Sequence, residues 1–180
     1  MGVTRTEVQA ITFQLDKEIY GIDVHQIKEI IKVRDYVKVP NAPGYVEGVI
    51  NLRGQITPIV DLRKIFGMVQ REFDENSRII MVEFDSDVVG LIVDCVVGVV
   101  TVPIGEIVKS PSITTSPSNS FISGIIRSEN QLTILIDVVK LLQEHCQVSQ
   151  DGASAFKITK NVAKSEKPSA SVSSPSSAEI

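Results

Sequence analysis

The stretch "YVEGVINLRGQITPIVDLRKIF", Tyr45–Phe66, is repeated without a gap as "FISGIIRSENQLTILIDVVKLL", Phe121–Leu142. Six of the 22 positions are identical, and nine more exchange one large apolar residue for another. Upstream, Phe13–Val24 matches Val82–Val93 at a slightly shorter spacing. Solenoid and propeller repeats span about 20–50 residues, so this longer period indicates a duplicated small domain.

Each copy, residues 10–70 and 71–146 of one domain spanning 10–146, is predicted to consist of short strands. Apolar and polar residues alternate at Ile11–Leu15 and again at Tyr20–Val24, which is typical of half-buried strands. A small closed barrel removes exposed sheet edges and buries one face of every strand. We therefore expect an all-β fold of two small β-barrels packed together, with the surplus apolar residues buried between them.

A few short helices are also predicted. Val24, Ile27 and Ile30 follow a helical spacing, which favours a turn or two of helix near His25–Glu29. The two copies each place an aspartate, Asp61 or Asp137, between a strand and a helical pattern. An aspartate at that position can accept hydrogen bonds from the free N–H groups of the first helical turn.

The two ends of the chain differ in character from the domain. Residues 1–9 are expected to form a flexible N-terminus. Residues 147–180 form a Ser/Lys/Pro-rich tail with few apolar side chains, as in "SEKPSASVSSPSSAEI". Such a segment cannot offset the entropy lost on ordering, so we expect disorder there.

Composition excludes several classes of function. The formal net charge is −4, the pI is about 5.2, and aromatic residues make up 5% of the chain. An acidic chain with few stacking side chains is poorly suited to nucleic acid. No apolar run approaches the ~18 residues of a membrane span, and no signal sequence opens the chain.

No catalytic or cofactor-binding motif is evident. The two histidines, His25 and His145, have no nucleophile in a recognisable arrangement with them. Metal ligands do not cluster in sequence, and the glycine-rich phosphate-binding motifs are absent. We therefore predict a protein that is not an enzyme and that needs no cofactor or metal.

Arg53 lies at the tip between two apolar segments and leaves two interpretations open. The equivalent positions of Arg53 and Gly54 in the second copy are Glu129 and Asn130. Glycine and asparagine tolerate a positive φ best, so both copies are predicted to form a tight hairpin. The turn accepts either charge at the tip, so Arg53 is either a solvated residue or a recognition residue.

At this point the chain resembles the CheW family, the coupling proteins of bacterial chemotaxis. The resemblance covers residues 10–146 and is carried by "GVINLRGQITPIVDLR", "EIYGIDVHQIKEI" and "VVGLIVDCVVGV". It implies that the two barrels are SH3-like and five-stranded. It also implies a cytoplasmic adaptor that binds a CheA-type histidine kinase and the cytoplasmic tips of chemoreceptors, and that meets the membrane only through those receptors.

The resemblance also assigns residues to each partner. From the residues alone, Ile27 fits the core and Glu29 fits a solvated position. The receptor-facing positions implied by the family are Ile27, Glu29, Gly48 and Arg53. The implied kinase-facing positions are Val108, Lys109, Ser112 and Ile113.

Two other classes of function compete with the adaptor. A small-molecule enzyme or binder could use a groove between the lobes, although no catalytic constellation supports it. A nucleic-acid-binding barrel is disfavoured by the acidic pI.

Overall fold

The computed structural model describes residues 5–109, 119–128 and 130–146. Within them the chain is mostly β-strand, which confirms the predicted fold class. The ten strands are β1 Glu7–Leu15, β2 Glu18–Asp23, β3 Ile27–Lys32, β4 Val46–Leu52, β5 Gln55–Asp61, β6 Arg78–Phe84, β7 Asp87–Val93, β8 Cys95–Pro103, β9 Ile122–Ser128 and β10 Gln131–Ile136. The helices are α1 Leu62–Ile65 and α2 Val138–Cys146, with 3-10 turns at Val24–Gln26 and Ile104–Glu106.

The strands form two five-stranded sheets, and each sheet contains strands from both halves of the sequence. Sheet A has the order β8-β1-β2-β10-β9, and sheet B has the order β3-β6-β7-β5-β4. The prediction that residues 10–70 and 71–146 form separate lobes is therefore wrong for the sheets. The chain crosses to sheet B after β2 and returns to sheet A after β7, so each sheet takes two strands from one copy and three from the other.

The predicted closed barrels are also corrected, because the edge strands of each sheet are not joined by a ladder among the described residues. A single bridge, Val37 with Val49, connects the segment after β3 to β4 in sheet B. The equivalent bridge in sheet A joins Val108 to Ile125. Each sheet therefore curls until its edges meet at one residue pair.

The two sheets pack on one shared core, so the surplus apolar residues lie between the sheets, each of which contains strands from both copies. Fully buried side chains from sheet A include Phe13 and Ile22, and those from sheet B include Val82 and Leu91. Aromatic rings stack across the core in the order Phe13, Tyr20, Phe66 and Phe121, with centroids 5.9, 5.3 and 5.6 Å apart.

Several local predictions are confirmed and others are revised. Asp61 accepts the N–H of Arg63 at 2.8 Å, and Asp137 accepts the N–H of Lys140 at 3.2 Å, so both aspartates cap a helix. The helix predicted near His25–Glu29 is limited to the 3-10 turn, because the β-branched residues after it pair with β6 as a strand.

Part of the segment predicted to be flexible, residues 1–9, is a strand instead, since β1 begins at Glu7, which pairs with Pro103 of β8. Residues 1–4 lie outside the described residues. Arg5, just before the strand, is held by a bidentate contact with Asp23. The predicted disordered tail, residues 147–180, lies outside the described residues and stays a prediction.

Candidate functional site: the Arg53 hairpin tip

The Arg53 tip is a two-residue hairpin turn between β4 and β5. Leu52 pairs with Gln55, which leaves Arg53 and Gly54 as the whole loop. Both have positive φ, 51° and 85°, as a type I′ turn requires. The side chain of Asn51 accepts the N–H of Gly54 at 2.8 Å and braces the turn. The predicted tight hairpin is therefore confirmed.

Arg53 occupies a backbone conformation that arginine disfavours. A non-glycine residue in the left-handed region costs about 1 kcal/mol, and asparagine, aspartate or glycine would fit better. The Arg53 side chain is 79% exposed, and its one recorded contact among the described residues is with Glu29, at 3.0 Å. An exposed pair of this kind contributes little to stability. The fold therefore does not explain why arginine stands here.

A bulge in β3 separates the side chains of Ile27 and Glu29. Ile27 pairs with Val82 and Glu29 pairs with Met81, with a register shift between them. Val82 and Met81 are adjacent on β6, so their side chains face opposite sides of the sheet. Their partners Ile27 and Glu29 therefore also lie on opposite faces. Ile27 packs against the shared core, whereas Glu29 meets Arg53. The structure thus brings Arg53 and Glu29 together but gives Ile27 a place at the edge of the core.

Gly48 is buried and has a packing role. A Cβ atom at this position would collide with the carbonyl oxygen of Val37, and would lie 2.9 Å from a ring carbon of Tyr36. A Cβ atom at the equivalent glycine of the other sheet, Gly124, would collide with the side chain of Ile107. The absent side chains allow the closing bridges to form, which explains why glycine recurs in both copies.

The kinase-facing positions suggested by the sequence lie on sheet A. Val108 is 48% exposed although its backbone forms the closing bridge, and Lys109 beside it is exposed. Ser112 and Ile113 lie outside the described residues.

Sequence reasoning missed a buried ion pair at the crossover from sheet B to sheet A. The Arg63 guanidinium contacts both oxygens of Asp94, at 2.7 and 2.5 Å, and both side chains are about nine-tenths buried. Asp94 also accepts the backbone N–H of Asp16 at 2.8 Å, which ties the β1–β2 hairpin to sheet B. Burial alone would raise the pKa of Asp94, but the hydrogen bonds from Arg63 and Asp16 outweigh it and lower that pKa.

Ile56 is a second residue that the sequence did not reveal. It lies three positions after Arg53 on β5 and is 41% exposed. Its equivalent in sheet A, Leu132, is 55% exposed. Alternation in β5 alone does not show which apolar side chains are covered by the other sheet, so only the structure identifies these two as exposed.

No group of three or more His, Cys, Asp or Glu side chains in the described part of the chain could hold a metal ion. No helix in residues 5–109, 119–128 and 130–146 combines the length and hydropathy needed to span a membrane.

The turn conformation leads to a prediction about stability. We expect Arg53→Asn to raise the free energy of unfolding by about 0.5–1 kcal/mol, because asparagine suits a positive φ. Loss of the exposed contact with Glu29 offsets only a small part of that gain. Arg53→Lys keeps the charge and the unfavourable backbone, so it should leave stability unchanged. Urea unfolding measures both variants, and equal midpoints for Asn and Lys would refute the argument.

Comparisons with known proteins agree with the geometry. The sequence profile of the CheW-like domain matches residues 9–146. The chemotaxis protein CheW of Treponema pallidum is 33% identical over 145 residues, covering 78% of this chain and 85% of the relative. The chemotaxis protein CheW of Bacillus subtilis is 34% identical over 145 residues, covering 81% and 93%.

A solved structure is also similar. The scaffolding protein TtCheW from Thermoanaerobacter tengcongensis has a TM-score of 0.72 and 33% sequence identity, covering 87% of this chain and 97% of that chain. The fold thus defines a mostly β protein of two five-stranded sheets. The chain belongs to the CheW-like family.

Proposed function

We propose that this protein is a non-enzymatic, cytoplasmic adaptor of bacterial chemotaxis. It couples a CheA-type histidine kinase to the cytoplasmic tips of chemoreceptors. Membership of the CheW-like family supports the class of function, and the scaffolding title of the similar solved structure agrees with it. The protein holds its partners in a fixed geometry and transforms neither of them.

The observation that carries the receptor assignment is the exposed Arg53 in a strained turn. A residue that stands at a backbone cost, with only an exposed ion pair among the described residues to offset it, is a candidate for recognition. Glu29 lies 3.0 Å away and provides the opposite charge on the same rim. Exposed Ile56 provides apolar area close to the tip. An apolar anchor with a polar rim is the usual composition of a protein interface.

The remaining family positions take different parts in this proposal. Ile27 and Gly48 support the receptor surface from within, because one packs on the core and the other admits the closing bridge. On sheet A, Val108 and Lys109 form the described part of the kinase-facing surface. Ser112 and Ile113 stay predicted kinase-facing residues outside the described part of the chain. The two partners then occupy different sheets.

The test uses a chemoreceptor cytoplasmic fragment and a CheA-type kinase as separate ligands. We expect Arg53→Glu to weaken receptor capture by about 30-fold, the effect of a hot-spot residue worth about 2 kcal/mol. Kinase capture should persist. Val108→Glu should give the reverse pattern, with kinase capture lost and receptor capture kept.

Arg127→Glu is the matched control, since Arg127 is an exposed arginine on sheet A. It should change neither interaction. Circular dichroism and the unfolding midpoint verify that each variant keeps the fold. Unchanged receptor capture by folded Arg53→Glu would contradict the proposed role of the tip, and failure of the wild-type protein to capture either ligand would contradict the adaptor function.

A further inference from the structure

A groove of about 370 Å³ opens at one end of sheet A. Its walls are largely apolar and include Val8, Ile104, Ile107 and Leu135. Asp137 lies on its lining as well. A concave apolar site with a few polar groups at the mouth of a barrel-like sheet is the usual form of a binding pocket.

The internal repeat explains why this end of sheet A is open. In sheet B the paired residues Ile79 and Ile92 are both buried and fill the space that the curled sheet encloses. The equivalent pair in sheet A is Ala10 and Asp23, of which Asp23 lines the groove. A small and a polar side chain therefore replace two large apolar ones.

A second exchange enlarges the opening. Glu47 of β4 is mostly buried and is paired with Lys64 beside the capping residue Asp61. The equivalent of Glu47 on β9 is Ser123, which lines the groove. Lys140, the equivalent of Lys64, therefore has no carboxylate at that position and is exposed. As a result Asp61 is 2% exposed, whereas its equivalent Asp137 is half-buried and reaches the groove.

Among the described residues, one carboxylate oxygen of the groove, Oδ2 of Asp137, accepts no hydrogen bond. In the described part of the chain, hydrogen bonds to Asp137 come from Lys140 and Gln26 and both reach Oδ1. Asp23 is already bound by Arg5 and by His25. The other charged group is Lys109, which is exposed and can turn its flexible stem toward solvent.

We propose that this groove receives the side chain of an arginine presented by a partner protein. The aliphatic stem would lie along Ile104 and Ile107, and the guanidinium would donate to Oδ2 of Asp137. Arg5 of this chain already makes such a contact at the rim, where two of its nitrogens bind the two oxygens of Asp23 at 2.5 and 3.1 Å. The site rests on the proposed function, because the occupant is taken to be a protein and Lys109 on the lining belongs to the proposed kinase-facing surface. Arg53 lies on the other sheet.

The probe for this site is the tripeptide acetyl-Ala-Arg-Ala-amide, followed by NMR of the full chain. We expect saturable shifts of backbone amides around the groove, with millimolar affinity. The same tripeptide with citrulline, which has the shape of arginine without its charge, should bind at least about fivefold more weakly.

Matched variants then locate the binding. Asp137→Asn keeps a good helix cap while removing the charge, so it should weaken the arginine probe about fivefold or more without unfolding the protein. Asp61→Asn, the equivalent change in sheet B, should leave binding unchanged. Ser123→Glu should abolish binding, because it fills the groove as Glu47 does and can be paired by Lys140.

Each outcome decides the proposal. Absence of saturable shifts, equal binding of the citrulline peptide, or full binding by Asp137→Asn would overturn it. Arg53→Glu should bind the probe normally, so failure of the groove and failure of the receptor tip are distinguishable.

Discussion

Asp94→Asn is expected to lower the free energy of unfolding by about 3 kcal/mol, because it leaves the buried Arg63 guanidinium with only the exposed carboxylate of Asp16, 3.9 Å away, as a countercharge. The pair is enclosed at the crossover between the sheets and also holds the β1–β2 hairpin through the N–H of Asp16. The double variant Arg63→Leu with Asp94→Asn should recover much of the loss, because it removes both charges and keeps an acceptor for Asp16. Urea unfolding of the two variants and the wild type provides the measurement.

The same pair makes a pH-dependent contribution. The pKa of Asp94 is lower in the folded protein than its usual value near 3.9. Its stabilising effect is therefore complete above that unfolded pKa and is lost as the pH falls through the folded pKa. The difference in stability between wild type and Asp94→Asn should be constant from about pH 7 to pH 5 and should shrink below about pH 4. Burial raises the pKa of Asp61, so Asp61 also makes stability depend on pH. That contribution is the same in the wild type and the variant and cancels in their difference.

Asp74→Asn is the control for this effect. Asp74 also has a lowered pKa, first through the backbone hydrogen bond from Asn76. It is exposed, however, so its ion pair with Arg71 is screened by solvent. Asp74→Asn should therefore lower the free energy of unfolding much less than Asp94→Asn does. Equal losses for the two asparagine variants would show that burial at the crossover is not the source of the stability.

Gly48→Ala is expected to destabilise the fold by about 2–3 kcal/mol and to disrupt the closing bridge of sheet B. The added Cβ would meet the backbone carbonyl of Val37, which cannot move aside as a flexible side chain can. The hydrogen bonds at risk are those between Val37 and Val49, at 2.9 and 2.8 Å. Hydrogen exchange of these two amides should report the lost bridge directly.

Two other strand glycines provide a graded comparison. Gly124→Ala presses on the side chain of Ile107, which can adjust, so its cost should be smaller. A Cβ at Gly98 on β8 would meet nothing within 4 Å, and Gly98→Ala should be close to neutral. If Gly48→Ala proved as harmless as Gly98→Ala, glycine at position 48 would owe its presence to a partner rather than to packing.

Local features of the fold followed from the sequence because short-range chemistry determines them. The capping roles of Asp61 and Asp137 and the tight turn at Gly54 depend on residues within a few positions. The candidate site was only partly predictable. Arg53 and Glu29 lie 24 positions apart, and a one-residue bulge in β3 decides that Glu29, and not Ile27, faces the tip.

The buried ion pair of Arg63 and Asp94 could not be predicted from the sequence for a similar reason. Arg63 and Asp94 are 31 positions apart, and an arginine in the segment "LRKIF" fits an exposed helix face as well as a buried ion pair. Its burial depends on where the chain crosses between the sheets. No spacing in the sequence specifies that point.

By itself, the sequence determined that the protein is a doubled all-β chain with two equivalent hairpins and two capped helices. Both sheets even share one strand order, since β8-β1-β2-β10-β9 and β3-β6-β7-β5-β4 correspond position by position through the repeat. Only the tertiary structure decided which copy supplies each strand. Ladder hydrogen bonds join backbone groups that are the same in every residue, so alternation identifies the faces of a strand but not its neighbour.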